Sequence, residues 1–130
     1  MPRILIVDDD ENLRKVLEKL LTIKGHEVRT AENGIDAIKL MEHESFDLVI
    51  TDILMPDMDG YELIRALRKG EAPPRIIAIS GGSGRLDSEY LLEVAKRMKA
   101  DKLLQKPISI AAIDAAVNEV MGAGGPGTSP

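Results

Sequence analysis

Ile4-Leu5-Ile6-Val7-Asp8-Asp9-Asp10 is the stretch from which the rest of the chain can be read. Its four apolar residues are too few for a helix and too uniform for a strand with one wet face, so they read as a strand buried on both sides. The acidic triplet ends that strand. Beyond it, apolar residues at 13, 16, 17, 20 and 21 fall at helical spacing, and Gly25 closes the helix as its C-terminal cap. Glu27 to Ala31 is a second, less buried strand, and Asn33-Gly34 opens a helix with Ile35, Ile38 and Met41 on its buried side. The alternation then continues. Phe46 to Thr51 is the third strand, followed by a turn and a helix with Leu63, Ile64 and Leu67 on one face. Arg75 to Ser80 is the fourth, followed by a glycine-rich loop and a helix bearing Leu91, Val94, Ala95 and Met98. Asp101 to Gln105 is the fifth, and Ile110, Ile113, Val117 and Val120 mark a last helix with Ser109 as N-cap.

Alternating helices and doubly buried strands call for a parallel sheet with helices on both faces, a doubly wound α/β fold. The 130 residues suffice for one such domain, expected over residues 1–121, and Gly122 to Pro130 reads as a flexible Gly/Pro-rich tail or linker stub. The chain has no cysteine, which excludes disulfides, thiolate zinc sites and cysteine nucleophiles and makes the cytoplasm the expected location. No apolar run is long enough to cross a bilayer, and neither a signal peptide nor a membrane partner is expected. A net charge of −5, with Phe46, Tyr61 and Tyr90 as the aromatics, supplies neither the field nor the stacking surfaces of a direct nucleic-acid binder.

In a doubly wound sheet the site lies beyond the carboxyl ends of the strands, where strand order reverses. The residues there are Asp8-Asp9-Asp10, Asp52, Ser80-Gly81 and Lys106-Pro107. Singly, each has a structural reading: helix capping for the triplet, a turn for Asp52, a loop entry for Ser80, a solvated charge for Lys106. Jointly they read otherwise. If the first and third strands are neighbours, Asp8, Asp9 and Asp52 converge, and close like charges repel by about 4 kcal/mol per pair at an effective dielectric near 20. Carboxylates with no histidine or cysteine beside them suit a hard divalent cation, and a site with few protein ligands and room for water and phosphate suits Mg²⁺. Lys106 adds a positive charge and Ser80 a hydroxyl donor, the neutralising groups that phosphoryl transfer requires, leaving Asp52 as the attacking carboxylate.

These residues resemble the receiver domain of two-component response regulators. Ile4 to Asp10 is similar to the family's first strand and acidic pair, Asp47 to Gly60 to its phosphoacceptor strand and loop, Ile79-Ser80 to its switch hydroxyl, and Lys106-Pro107 to its lysine, over about residues 3–121. The resemblance implies a flavodoxin-like sheet of order 2-1-3-4-5 and a cis Lys106-Pro107 bond. Asp9, Asp52 and the backbone carbonyl of Leu54 would bind Mg²⁺ directly, and Asp8 through water. Asp52 would accept a phosphoryl group from a sensor histidine kinase or a histidine phosphotransfer protein. The domain would later hydrolyse the acyl phosphate itself, a switch with autophosphatase behaviour and not a turnover enzyme. Lys96, Arg97, Lys99 and Lys102 lie near the fourth helix and fifth strand, where the family forms its output or dimer surface. His26 and His43 read as surface residues without a role. Met55 and Met58 read as packing or pocket-rim residues.

Two positions depart from the family pattern. The aromatic often found three residues before the lysine is Leu103, and the loop Gly81-Gly82-Ser83-Gly84 is unusually rich in glycine, so ordering of that loop is the expected substitute for a rotating ring. If the chain is complete, no output domain follows, and it acts by binding another protein or by passing phosphate on. Three alternatives fit the residues less well. A haloacid-dehalogenase-like phosphohydrolase needs a second Asp where Leu54 stands. A flavin or nucleotide module would want aromatics and a phosphate loop, and neither is present. A receiver-like module that no longer takes phosphate would be expected to have lost one of the five chemical positions, yet all are filled.

Overall fold

A computed structural model describes residues 2–52, 66, 73–80 and 100–123. Five strands, β1 (Arg3–Val7), β2 (Glu27–Ala31), β3 (Leu48–Asp52), β4 (Arg75–Ser80) and β5 (Lys102–Gln105), form one parallel sheet in the order β2-β1-β3-β4-β5. Helices α1 (Glu11–Ile23), α2 (Gly34–Met41) and α3 (Ile110–Ala123) pack on it. This is the flavodoxin-like doubly wound arrangement. The expected helices around Leu63 to Leu67 and Leu91 to Met98, and the loop at Gly81 to Gly84, lie outside the described residues.

The uniform apolarity of the strands follows from having two covered faces. Successive side chains point to opposite sides of a sheet. Leu5, Val7, Val49, Ile76 and Ala78 therefore join Ala37, with Ile38 and Met41 of α2 packed against them, while Ile4, Ile6, Leu48, Ile50, Ile77 and Ile79 join Leu17 and Leu21 of α1 and Ile113, Ala116, Val117 and Val120 of α3. Each large aliphatic side chain removed from water in this way stabilises the fold by about 1.5–3 kcal/mol. β2 lies at one edge, which is why its sequence Glu-Val-Arg-Thr-Ala is mixed and only Val28 and Ala31 are buried.

The helix ends follow from their capping residues. Asp10 caps α1, its side chain accepting from the Leu13 N–H at 3.2 Å. At the other end Gly25 takes φ +98°, donating to the Thr22 carbonyl while His26 donates to Leu21, both at 3.0 Å, a Schellman closure that needs a left-handed residue. Asn33 caps α2 and Ser109 caps α3, accepting from Asp36 at 2.8 Å and Ala112 at 3.0 Å.

Several expectations from the sequence need correction. β3 begins at Leu48, not Phe46, because the Asp47 side chain turns back to accept from the Arg3 N–H at 2.8 Å, and Phe46 packs below the Arg3 guanidinium instead. β5 begins at Lys102, because Asp101 accepts from the Ile76 N–H at 2.8 Å through its side chain. Val16, Ile35 and Ile110 are exposed, whereas the small residues Ala37 and Ala116 are buried against the sheet. His26 is half-buried, with its Nδ1 out of contact with solvent.

Candidate functional site

The chain passes from β1 outward to β2 and then back across to β3, so the switch point lies between β1 and β3. Val7 pairs with Thr51, and the residues that follow, Asp8 and Asp52, are thereby set side by side. Asp8 is fully buried and Asp52 is 4% exposed, while Asp9, next to Asp8, is exposed. One carboxylate oxygen from each of the three lies within 4.8 Å of the others.

Lys106 faces this group from the end of β5. Its Nζ lies 3.2 Å from Asp8 Oδ2, and 3.4 Å from both Asp8 Oδ1 and Asp52 Oδ2. The Lys106-Pro107 bond is cis, and the Lys106 N–H donates to the Ser80 carbonyl at 3.1 Å, which ties the lysine to the end of β4. Ser80 is itself buried, its hydroxyl 3.5 Å from the Leu104 carbonyl. Leu103 is half-buried and packs against the core cluster under α2. An open groove of about 550 Å³, lined by Asp10, Leu13, Val16, Pro107 and Ile108, runs past Lys106. Leu54, Met55, Met58, Lys96, Arg97 and Lys99 lie outside the described residues, and Lys102 pairs with Glu119 at 2.9 Å.

Burial pushes the Asp8 carboxyl above its usual range, although the Asp10 N–H at 2.8 Å on its Oδ1 and the Lys106 ammonium both act to lower it. Burial also works against the charged form of Lys106, but the Asp52 and Asp8 carboxylates outweigh it, and the ammonium is held above its ordinary value. Among the described residues, the three converging carboxylates face one ammonium, that of Lys106, which touches Asp8 and Asp52. Asp8 Oδ2, buried beside Lys106, accepts no hydrogen bond among the described residues. Oxygen donors alone, partly preassembled and with surplus negative charge, fit a hard divalent cation such as Mg²⁺ better than a soft transition metal.

One contact in this region has no sequence signal. The Arg14 Nη1 donates to the Asp8 main-chain carbonyl at 2.7 Å. From sequence, Arg14 is one of many charged residues on an amphipathic helix, and nothing in its spacing distinguishes it from the solvent-facing ones.

Comparisons with known proteins agree with this geometry. The response regulator receiver domain family matches residues 4–118. Transcriptional regulatory protein AfsQ1 of Streptomyces coelicolor is 34% identical over 93% of this chain and 52% of its own length, and the probable transcriptional regulator ycf27 of Cyanidium caldarium is 37% identical over 91% and 45%. The chain thus spans about half the length of these relatives. Among solved structures, the chemotaxis response regulator CheY4 of Vibrio cholerae superposes with a TM-score of 0.82 at 27% identity, covering 92% of this chain and 98% of that one. A response regulator receiver domain protein from Clostridium thermocellum gives 0.79 at 29% identity, covering 95% and 96%. With the sheet order, the acidic cluster and the family match in agreement, the chain belongs to the response regulator receiver domain family.

Proposed function

We propose that this receiver domain, expected to end at residue 121 but with its last helix running on through Gly122 to Ala123, accepts a phosphoryl group on Asp52 in a Mg²⁺-dependent reaction and signals through altered protein contacts. Receiver domains are signalling switches that work with histidine kinases or phosphotransfer proteins, and the donor here is a phosphohistidine on such a partner. The observation that carries the reading is the convergence of Asp8, Asp9 and Asp52 beside Lys106 at the switch point of the sheet.

Asp9, Asp52 and the Leu54 carbonyl would hold Mg²⁺, with Asp8 acting through water. Bound there, the cation supplies charge neutralisation for the phosphoryl oxygens. An Asp52 carboxylate oxygen attacks phosphorus. The new O–P bond forms as the P–N bond to the donor imidazole breaks, and the bonding pair stays on that nitrogen. Lys106, released from part of its contact with Asp52, balances charge on the phosphoryl group. The Ser80 hydroxyl, held only at 3.5 Å by Leu104, is free to turn and donate to a phosphoryl oxygen. Hydrolysis of the acyl phosphate by the domain itself then resets the switch. The surface around the fourth helix and fifth strand, including Lys102, is the proposed contact for a downstream protein or a second copy of the chain, and the cytoplasm is the proposed compartment.

Incubation with Mg²⁺ and a small acyl phosphate, read by intact mass, tests the reading. The wild type is expected to gain one phosphoryl group and Asp52→Asn none. Equal gain in both removes Asp52 from this role.

A further inference from the structure

Arg14 lies in α1, and its guanidinium donates to the main-chain oxygen of Asp8, one of the three residues whose carboxylates converge. Among the described residues it forms no ion pair, although a surplus of negative charge lies next to the peptide it holds. A guanidinium placed simply by attraction would be expected on a carboxylate, where two parallel hydrogen bonds are available. Its bond to the carbonyl instead fixes the peptide unit that joins Asp8 to Asp9.

The two residues on that peptide depend on it unequally. Asp8 is anchored three further ways: its N–H donates to Ala31 at 3.2 Å, its Oδ1 accepts from Asp10, and its side chain is buried against Lys106. Asp9 is exposed, so its carboxylate is aimed chiefly by the main chain that carries it. Outer groups that orient a ligand contribute substantially to metal affinity without touching the metal.

We infer that Arg14 is a positioning residue for the divalent cation, presetting Asp9 by clamping the Asp8 carbonyl while leaving the carboxylate oxygens open. The inference rests on the Mg²⁺ site proposed above. Its consequence has a sign opposite to plain electrostatics. Removing a cation from an acidic hollow would tighten Mg²⁺ by relieving repulsion, whereas removing a clamp loosens it.

The test is calorimetric titration of Mg²⁺ into wild type, Arg14→Ala, Arg14→Gln, Arg14→Lys and Asp9→Asn, with the Asp9 amide resonance followed in the metal-free proteins. Arg14→Ala is expected to weaken Mg²⁺ by about tenfold and to shift the Asp9 amide before any metal is added. Arg14→Lys, which keeps a cationic donor without the planar fork, is expected to recover part of the loss. Tighter or unchanged binding in Arg14→Ala, with Asp9→Asn weakened, overturns this inference and leaves the Mg²⁺ site standing. Wild-type affinity in Asp9→Asn overturns the site itself. Should Arg14→Ala fail to fold, Arg14→Gln carries the same expectation, since its shorter neutral arm loses the clamp.

Discussion

At the amino-terminal edge of the sheet Arg3 reaches Glu27, Glu44 and the Ser45 carbonyl, whereas at the carboxyl-terminal edge three carboxylates converge and the Lys106 ammonium touches two of them. The first edge is balanced: Arg29 also pairs with Glu44, and Arg75 with Asp101. Its charges are at least partly solvated and tie β1 to its neighbours. The second edge buries Asp8 and Asp52 and, among the described residues, carries excess negative charge, which costs folding free energy that an ordinary structural role would not require. One sheet thus separates a charge-balanced end from the end where the phosphoryl chemistry is proposed. The difference lies in burial and charge balance, not in the number of acids.

Replacing Lys106 disturbs the chemical end most. Lys106→Met is expected to slow phosphoryl transfer from a small acyl phosphate by about 100-fold, the loss typical of removing one preorganised charge-stabilising group. It is not expected to weaken Mg²⁺, because a competing cation has gone. A normal phosphorylation rate in this variant would erase the contrast between the two edges.

The next effect is on stability as a function of pH. Because folding raises the Asp8 pKa, the proton is bound more tightly in the folded state, so the contribution is fully present below the ordinary carboxylate value and is lost as pH rises through the raised one. In chelator, the melting temperature of the wild type is therefore expected to fall as pH rises from the ordinary carboxylate value through the raised Asp8 value, and that fall is expected to be absent in Asp8→Asn, which has no proton to lose there. Lys106, raised likewise, keeps its contribution through neutral pH and loses it only in alkali above the ordinary lysine value. An identical pH profile for wild type and Asp8→Asn would contradict the burial account.

The smallest effect at the site is expected from the opposite edge. Arg3→Ala should lower the melting temperature, since it removes the contacts to Glu27, Glu44 and the Phe46 ring, while Mg²⁺ affinity and phosphorylation stay unchanged. Loss of Mg²⁺ binding in that variant would show that the two edges are coupled.

Much of this division is legible in the sequence. Ile4 to Val7 and Ile76 to Ile79 announce central strands because both faces must be covered, and Glu27 to Ala31 announces an edge strand because one side is wet. Helix phase is less legible. Ranking Ile35 above Ala37 follows hydrophobicity, but α2 approaches the sheet closely enough that the small residue takes the buried position. Val16 is apolar yet exposed because it borders the groove beside Pro107 and Ile108. Strand ends at Asp47 and Asp101 were hidden because an aspartate side chain can replace a ladder hydrogen bond. The convergence of Asp8, Asp9 and Asp52 follows from the sequence as soon as β1 and β3 are neighbours. The Arg14 bond to a main-chain carbonyl could not, because a carbonyl leaves no trace in residue identity.

The most direct test of the central claim locates the phosphoryl group. After incubation with Mg²⁺ and a small acyl phosphate, the protein is treated with borohydride, which reduces an acyl phosphate to an alcohol, and is then mapped by peptide mass spectrometry. The expected result is a reduced side chain at Asp52, absent when Mg²⁺ is chelated. A mark at Asp8, Asp9 or any other residue, or labelling of Asp52 that persists without a divalent cation, would contradict the account.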